Sequence, residues 1–111
     1  MCVVMGAPRF EPRSFTTEPE GFGRIVDLRW IAPETGLPRI HADAARLQHQ
    51  FSILVRRRVK AANGSLKQYA ADTGTDYWRL CRVLRGEVVV QIEDMMLAAR
   101  FLRIAIRFEA A

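Results

Sequence analysis

The sequence predicts a mainly α-helical domain, a small helical bundle with one short strand before it and a second in its C-terminal tail. Three observations carry this. At 111 residues, half of them hydrophobic, the chain suffices for one core and is short for two. Between Asp43 and Leu102, apolar residues recur at spacings of three and four, in stretches closed by Gly64, Gly74 and Gly86. Strict alternation occurs only in residues 24–31 and 102–109.

Taken in order, Pro8, Pro12 and Pro19, with Gly21 and Gly23 behind them, make residues 1–22 an irregular arm. In "RIVDLRWI", Val26, Leu28 and Trp30 share one face and Asp27 and Arg29 the other, the period of a half-buried strand. "APETGLP", 32–38, is a turn-rich connector. Residues 1–40 therefore stand apart from 41–111, as an arm and strand suited to dimerisation. From Asp43, a plausible N-cap, Leu47, Phe51, Leu54, Val55, Val59 and Ala62 mark one long amphipathic helix, stopped at Asn63 and Gly64. Ser65 and Gln68 have the spacing of a capping box, each satisfying the other's orphan backbone donor. The short helix they open ends near Thr73. Gly74 supplies a positive φ without a Cβ penalty, Thr75 or Asp76 caps the next helix, and that helix runs to Arg85 and closes at Gly86.

"EVVVQ", 87–91, is an apolar connector expected to tuck against the core. In the helix that follows, Ile92, Met95, Met96, Ala99 and Leu102 share a stripe, the two methionines reading as core fillers. Glu93 and Asp94 in its first turn and Arg100 and Arg103 in its last suit the helix dipole. The tail, 102–109, alternates like a strand, although 95, 99, 102 and 106 also fit a helix. The β-branched Ile104 and Ile106 favour the strand, with residues 24–31 as its partner within one chain or across a dimer.

The charge is +5, and 15 of 17 basic residues are arginine. Residues 1–45 carry a net of −1 and residues 46–111 a net of +6. The basic part reads either as a footprint for a polyanion or as an ordinary solvated arginine-rich face. No apolar run is long enough to span a membrane, and the N-terminus lacks the pattern of a secretory signal, so a cytoplasmic location is expected. Cys2 and Cys81 fit reduced thiols. His41 and His49 have no cysteine near them, so no metal site is expected. No nucleophile–histidine arrangement and no glycine-rich phosphate loop is visible, and Glu93 and Asp94 read as helix-start charges. Neither enzymatic activity nor a cofactor is expected.

The centre reads as a unit. A capped helix, a corner at Gly74 and a second helix make a helix-turn-helix. Small Ala70 permits the two helices to cross closely, and Leu80 and Leu84, with Val83 beside them, pin the second helix inward. Trp78, Arg82 and Arg85 then follow an outward i, i+4, i+7 line, with Tyr77 and Arg79 flanking.

"SLKQYAADTGTDYWRLCRVLRG" resembles the Cro/CI-type (XRE family, lambda-repressor-like) helix-turn-helix. The features that carry the likeness are small Ala70, Gly74, aliphatic Leu80, the hydrophobic pair Val83–Leu84 and terminal Gly86. "ILVRRRVKAANG" resembles that family's first helix and "VQIEDMMLAARFL" its fourth, so the likeness spans roughly residues 50–102. The sequence departs from the family pattern at Leu66, often Gln there, and at Tyr77 and Trp78, often small and polar. The resemblance implies a lambda-repressor-like bundle that binds double-stranded DNA in a sequence-specific way, as a transcriptional regulator and most simply a repressor on a palindromic operator. Under it, Tyr77, Trp78, Arg79 and Arg82 are the expected base-contacting residues. Ser65, Lys67, Arg85 and Arg56 or Arg57 are the expected phosphate-contacting ones. A homodimer through residues 24–31 and 102–109 is expected, since each has one apolar face in need of a partner. The alternative is an antitoxin or adaptor that uses the same scaffold to hold a protein partner, with Trp78 as anchor. Structured RNA is a weaker candidate, because its deep, narrow groove does not admit a reading helix.

Overall fold

The computed structural model describes residues 10–107. Four α-helices form it: α1, Gly36–Ala61; α2, Leu66–Thr73; α3, Tyr77–Leu84; and α4, Ile92–Leu102. Ahead of them, residues 10–35 form an arm containing two 3₁₀ turns, Pro12–Phe15 and Pro19–Gly21. Each turn opens with a proline, whose fixed φ suits a first helical position that needs no N–H donor.

The long helix begins eight residues earlier than its sequence pattern suggests, at Gly36 rather than after Asp43. Pro38 does not prevent this, because it sits in the first turn, where backbone N–H groups have no intrahelical acceptor. Asp43 is thus no cap. It lies inside α1 and pairs with Arg39 one turn earlier, at 3.3 Å. α1 also crosses residue 40, so the arm and the helical part share a continuous helix.

The strand expected at 24–31 does not form, and no strand exists among the described residues. One antiparallel bridge joins Thr16 to Trp30, supported by Thr17 N–H donating to Arg29 O and Ile31 N–H to Phe15 O. The reason is visible at Gly21, whose carbonyl accepts from the N–H groups of both Arg24 and Ile25. That turn consumes the first half of the segment, so Leu28 is buried while Val26 is exposed.

The tail is not a strand either over residues 103–107, and residues 108 and 109 lie outside the described residues. Arg103 ends α4 with a φ of 56°, and Arg58 donates to the carbonyls of both Leu102 and Arg103 at 3.0 Å. The tail's alternation is nevertheless used. Ile104 is buried in the core and Ile106 packs on it, against helices rather than a sheet.

That core takes Phe51, Val55 and Val59 from α1, Ala70 from α2, Leu80 and Leu84 from α3, and Ala98 from α4. A second, aromatic centre joins arm to α1: Phe22 and Trp30 both meet the ring of His49 edge-on, at 5.3 and 5.4 Å. Gly23 N–H donates to His49 Nδ1 at 2.8 Å, and Nε2 lies 3.4 Å from Val26 O, which assigns the neutral tautomer with its proton on Nε2. Burial holds this imidazole below the ordinary histidine range. His41 stacks on Phe10, with centroids 4.0 Å apart.

Gln48 ties the connector in place. It is buried on α1, where its Nε2 donates to Val83 O and Val88 O and its Oε1 accepts from Val90 N–H, each at 2.8 Å. The apolar connector therefore does tuck inward, held by a polar side chain. On α4 the expected stripe splits. Met95, Ala98 and Leu102 face the core, whereas Ile92 and Met96 are exposed. Met96 thus fills no core position and lines an open groove of about 1,100 Å³ with Ile92 and Leu97.

Candidate nucleic-acid interface

α2, a three-residue turn and α3 form the part with the clearest local logic. Ser65 Oγ accepts from Gln68 N–H at 3.1 Å, as a cap should. Only half of the expected capping box forms, because Gln68 turns its amide forward to Asp72 at 2.8 Å. Gly74 adopts φ 70°, and Thr75 N–H donates to Ala70 O. Thr73 Oγ1 meets Thr75 Oγ1 at 2.9 Å, tightening the corner. Asp76, rather than Thr75, caps α3, its Oδ1 accepting from Trp78 N–H at 3.1 Å. Leu80, Val83 and Leu84 are buried, and Ala70 is buried where α2 meets the core. α3 stops at Leu84, and Gly86 follows with φ 75°. Gly86 is doubly constrained, since a Cβ there would lie 2.7 Å from the Phe22 ring.

Inward pinning leaves an outward face. Trp78 is 72% exposed and packs edge-on against Tyr77 at 5.2 Å, while Tyr77 also rests on the core. Arg82 is exposed and makes no ion pair among the described residues. Arg85 is exposed and pairs with Glu87 at 2.8 Å. A surface pair of that kind contributes little and exchanges readily for another anion.

Arg79 is placed differently. Its guanidinium grips Asp94 in a fork, Nη1 to Oδ1 at 2.6 Å and Nη2 to Oδ2 at 2.8 Å. Asp94 Oδ2 also accepts from Gln91 N–H at 2.8 Å, so one carboxylate ties α3 to the start of α4. Burial pushes this carboxyl up, but the Arg79 fork and the Gln91 N–H outweigh it and hold it below the usual carboxylate range. Asp94 is therefore more than a helix-start charge, and Arg79 is engaged within the fold.

Ser65 and Arg56 line a surface cleft of about 440 Å³ at the start of α2, with Lys60 and Asn63. Lys67 and Arg57 are exposed nearby in sequence, on α2 and α1. Arg56 is half-buried, and its Nε has no hydrogen-bond partner. Burial lowers its proton affinity, and the positive charges of Arg24 and Arg85 lower it further. A guanidinium among cations suits an anion, which would relieve the repulsion. Arg24 is a residue that sequence reading missed. It belongs to the arm, and only the fold brings its charge within electrostatic reach of Arg56; nothing in its local pattern signals this. Arg58, third in the run of arginines, points instead to the end of α4.

Among the described residues, no group of three or more His, Cys, Asp or Glu is placed to hold a metal ion, and no helix is long and apolar enough to cross a membrane. Cys81 is a free, partly buried thiol. Comparison with protein-family models found no match, and comparisons with curated proteins and with solved structures found none either.

Proposed function

We propose that this chain is a sequence-specific double-stranded DNA-binding regulator, acting as a repressor, with α2, the turn and α3 as a lambda-repressor-like helix-turn-helix. The observation that carries the reading is the division of α3. Leu80, Val83 and Leu84 are buried, while Trp78, Arg82 and Arg85 are exposed along one outward line. An α-helix fits the major groove, and arginine is the commonest reader of guanine there. In this reading Arg82 reads a base, and Trp78 and Tyr77 shape the approach through thymine methyls or the sugar-phosphate edge. Arg79 sets the angle of α3 through Asp94 instead of reading a base. Arg56, Arg85, Ser65 and Lys67 hold phosphates at the flanks, with Arg57 at the edge of the same side.

A domain this small covers little DNA alone. Two copies on a palindrome, with half-sites about 34–36 Å apart, are the expected geometry. The test is selection of bound sequences from random duplex DNA. A two-fold symmetric motif is expected, with binding that weakens steeply as salt rises. No enriched sequence, together with binding unchanged by salt, would overturn the reading.

One observation favours a second reading. Trp78 is a large, uncovered aromatic ring, the kind of residue that anchors a protein interface. As an antitoxin or adaptor the chain would capture a protein through Trp78 and show no salt-sensitive affinity for duplex DNA.

A further inference from the structure

α1 carries two apolar faces. One is its fold-facing side, with Ala45, Gln48, Ser52, Val55 and Val59 buried against the arm and the other helices. The other reads Leu37, Ile40, Ala44, Leu47, Phe51, Leu54, spaced three, four, three, four and three. That is a coiled-coil seam, with Leu37, Ala44 and Phe51 at a positions and Ile40, Leu47 and Leu54 at d positions. At 100° per residue its N-terminal part lies to one side of the buried face. Only Phe51 is taken up by the chain's own core. Ile40 is 60% exposed and Leu47 51%, and Leu37, Ala44 and Leu54 are also exposed. The arm packs on other positions of α1, stacking Phe10 on His41 and Trp30 against His49. Apart from Phe51, nothing within the described residues uses this seam.

We propose that the seam is a homodimer interface, in which α1 packs antiparallel against α1 of a second copy. The register follows from the sequence. With the two-fold axis between residues 45 and 46, Leu37 meets Leu54 of the other copy and Ala44 meets Leu47, while Ile40 falls at the level of Phe51, which stays in its own chain's core. Every a position faces a d position, and each contact occurs twice, as an isologous interface requires. The small Ala44 sits at the crossing, where close approach is needed. The border residues brought together are Asp43 and Gln50, so no like charges oppose.

Size fits a reversible dimer. From Leu37 to Leu54 the seam runs about 26 Å, and a contact of that length one helix wide buries on the order of 1,000 Å² in total, the low end for specific interfaces. The proposal replaces the strand-mediated dimer expected from residues 24–31, which form no strand. It does not depend on DNA binding.

Sedimentation velocity of the full chain, across tens to hundreds of micromolar without DNA, tests it. The single chain has a mass of 12.7 kDa. The wild type should move to twice that mass as concentration rises. Leu47→Arg should keep its circular-dichroism melt and remain a single chain throughout, with association weakened at least tenfold. Met96→Arg, on the separate α4 groove, should dimerise like the wild type. Three results would overturn the proposal: a wild type that stays single at hundreds of micromolar, because residues 1–9 or nothing covers the seam; a dimer indifferent to Leu47→Arg; or a dimer broken by Met96→Arg instead. Loss of folding in Leu47→Arg is resolved by Ile40→Gln, a milder change at a more exposed seam position, which must weaken the dimer in the same way.

Discussion

The arm and the α2–turn–α3 unit are stabilised by opposite means. In the unit, nearly every feature is set by neighbours in sequence: Ser65 caps α2, Asp76 caps α3, and Gly74 turns with open space around it. In the arm, the 3₁₀ turns and the Gly21 turn are local, but what holds the arm on the fold is distant. Gly23 holds His49 on α1, Arg13 N–H donates to Gly86 O, and the Phe22 ring fills the space that a side chain at Gly86 would need. Local interactions make an element that stands on its own signals. Distant ones make an element whose shape exists only once the rest has folded.

Alanine substitutions at two glycines separate these cases most sharply. Both glycines have positive φ, but a Cβ at Gly23 would meet the backbone oxygen of Leu84 at 2.3 Å, whereas one at Gly74 meets nothing. Gly23→Ala should destabilise by roughly 3–5 kcal/mol, strain plus overpacking against backbone, read by urea unfolding. Next comes Gln48→Leu, which strands the Val88 carbonyl and the Val90 N–H. A loss of about 3 kcal/mol in the same assay is expected. Gly74→Ala should lose only about 1–2 kcal/mol, the left-handed backbone penalty alone. If Gly74→Ala proved as harmful as Gly23→Ala, the contrast between local and distant stabilisation would fail. Asp94→Asn loosens the tie between α3 and α4. Because Arg79 is one-third exposed, solvent screening limits the expected loss to about 1 kcal/mol.

Acid should act on the arm first. His49 is held neutral in the fold, below its ordinary value near 6.5. The unfolded chain therefore takes up a proton before the folded one does. Stability is full above that value and declines as pH falls towards the folded value, because a charged imidazole would turn a second donor towards Gly23 N–H. Asp94 is held below the usual carboxylate range, so its contribution is full above that range and is lost only as pH falls through it. Backbone hydrogen exchange across pH 7 to 5 should show residues 22–30 losing protection before α3. Simultaneous loss would remove His49 from this role.

The same contrast explains what the sequence disclosed. α2, its cap, the Gly74 corner, α3 and the existence of α4 were all legible, because caps and period are written within a few residues of where they act. Alternation at 24–31 predicts a strand that does not form, because alternation reports a two-faced segment, not a partner, and the Gly21 turn removes its first half. The apolar period places the start of α1 late, because Pro38 looks like a break unless it falls in the first turn. Tyr77, Trp78 and Arg82 lie on or near the outward face that their spacing implied, while Arg79 does not lie free. Its partner Asp94 is 15 residues away, beyond the reach of helical spacing. Gln48, Arg24 and the unpaired Nε of Arg56 left no local trace, since each depends on elements far apart in the chain.

The central claim is that α3 reads DNA through its outward arginine, and Arg82→Ala tests it most directly. Arg82 has no ion pair among the described residues and is exposed, so stability should change by less than about 0.5 kcal/mol. Binding would be measured by mobility shift on a selected duplex and on a scrambled one. Affinity for the selected duplex should fall by roughly 10–100-fold, and affinity for the scrambled duplex by far less. Equal affinity of Arg82→Ala and wild type for both duplexes would contradict the claim.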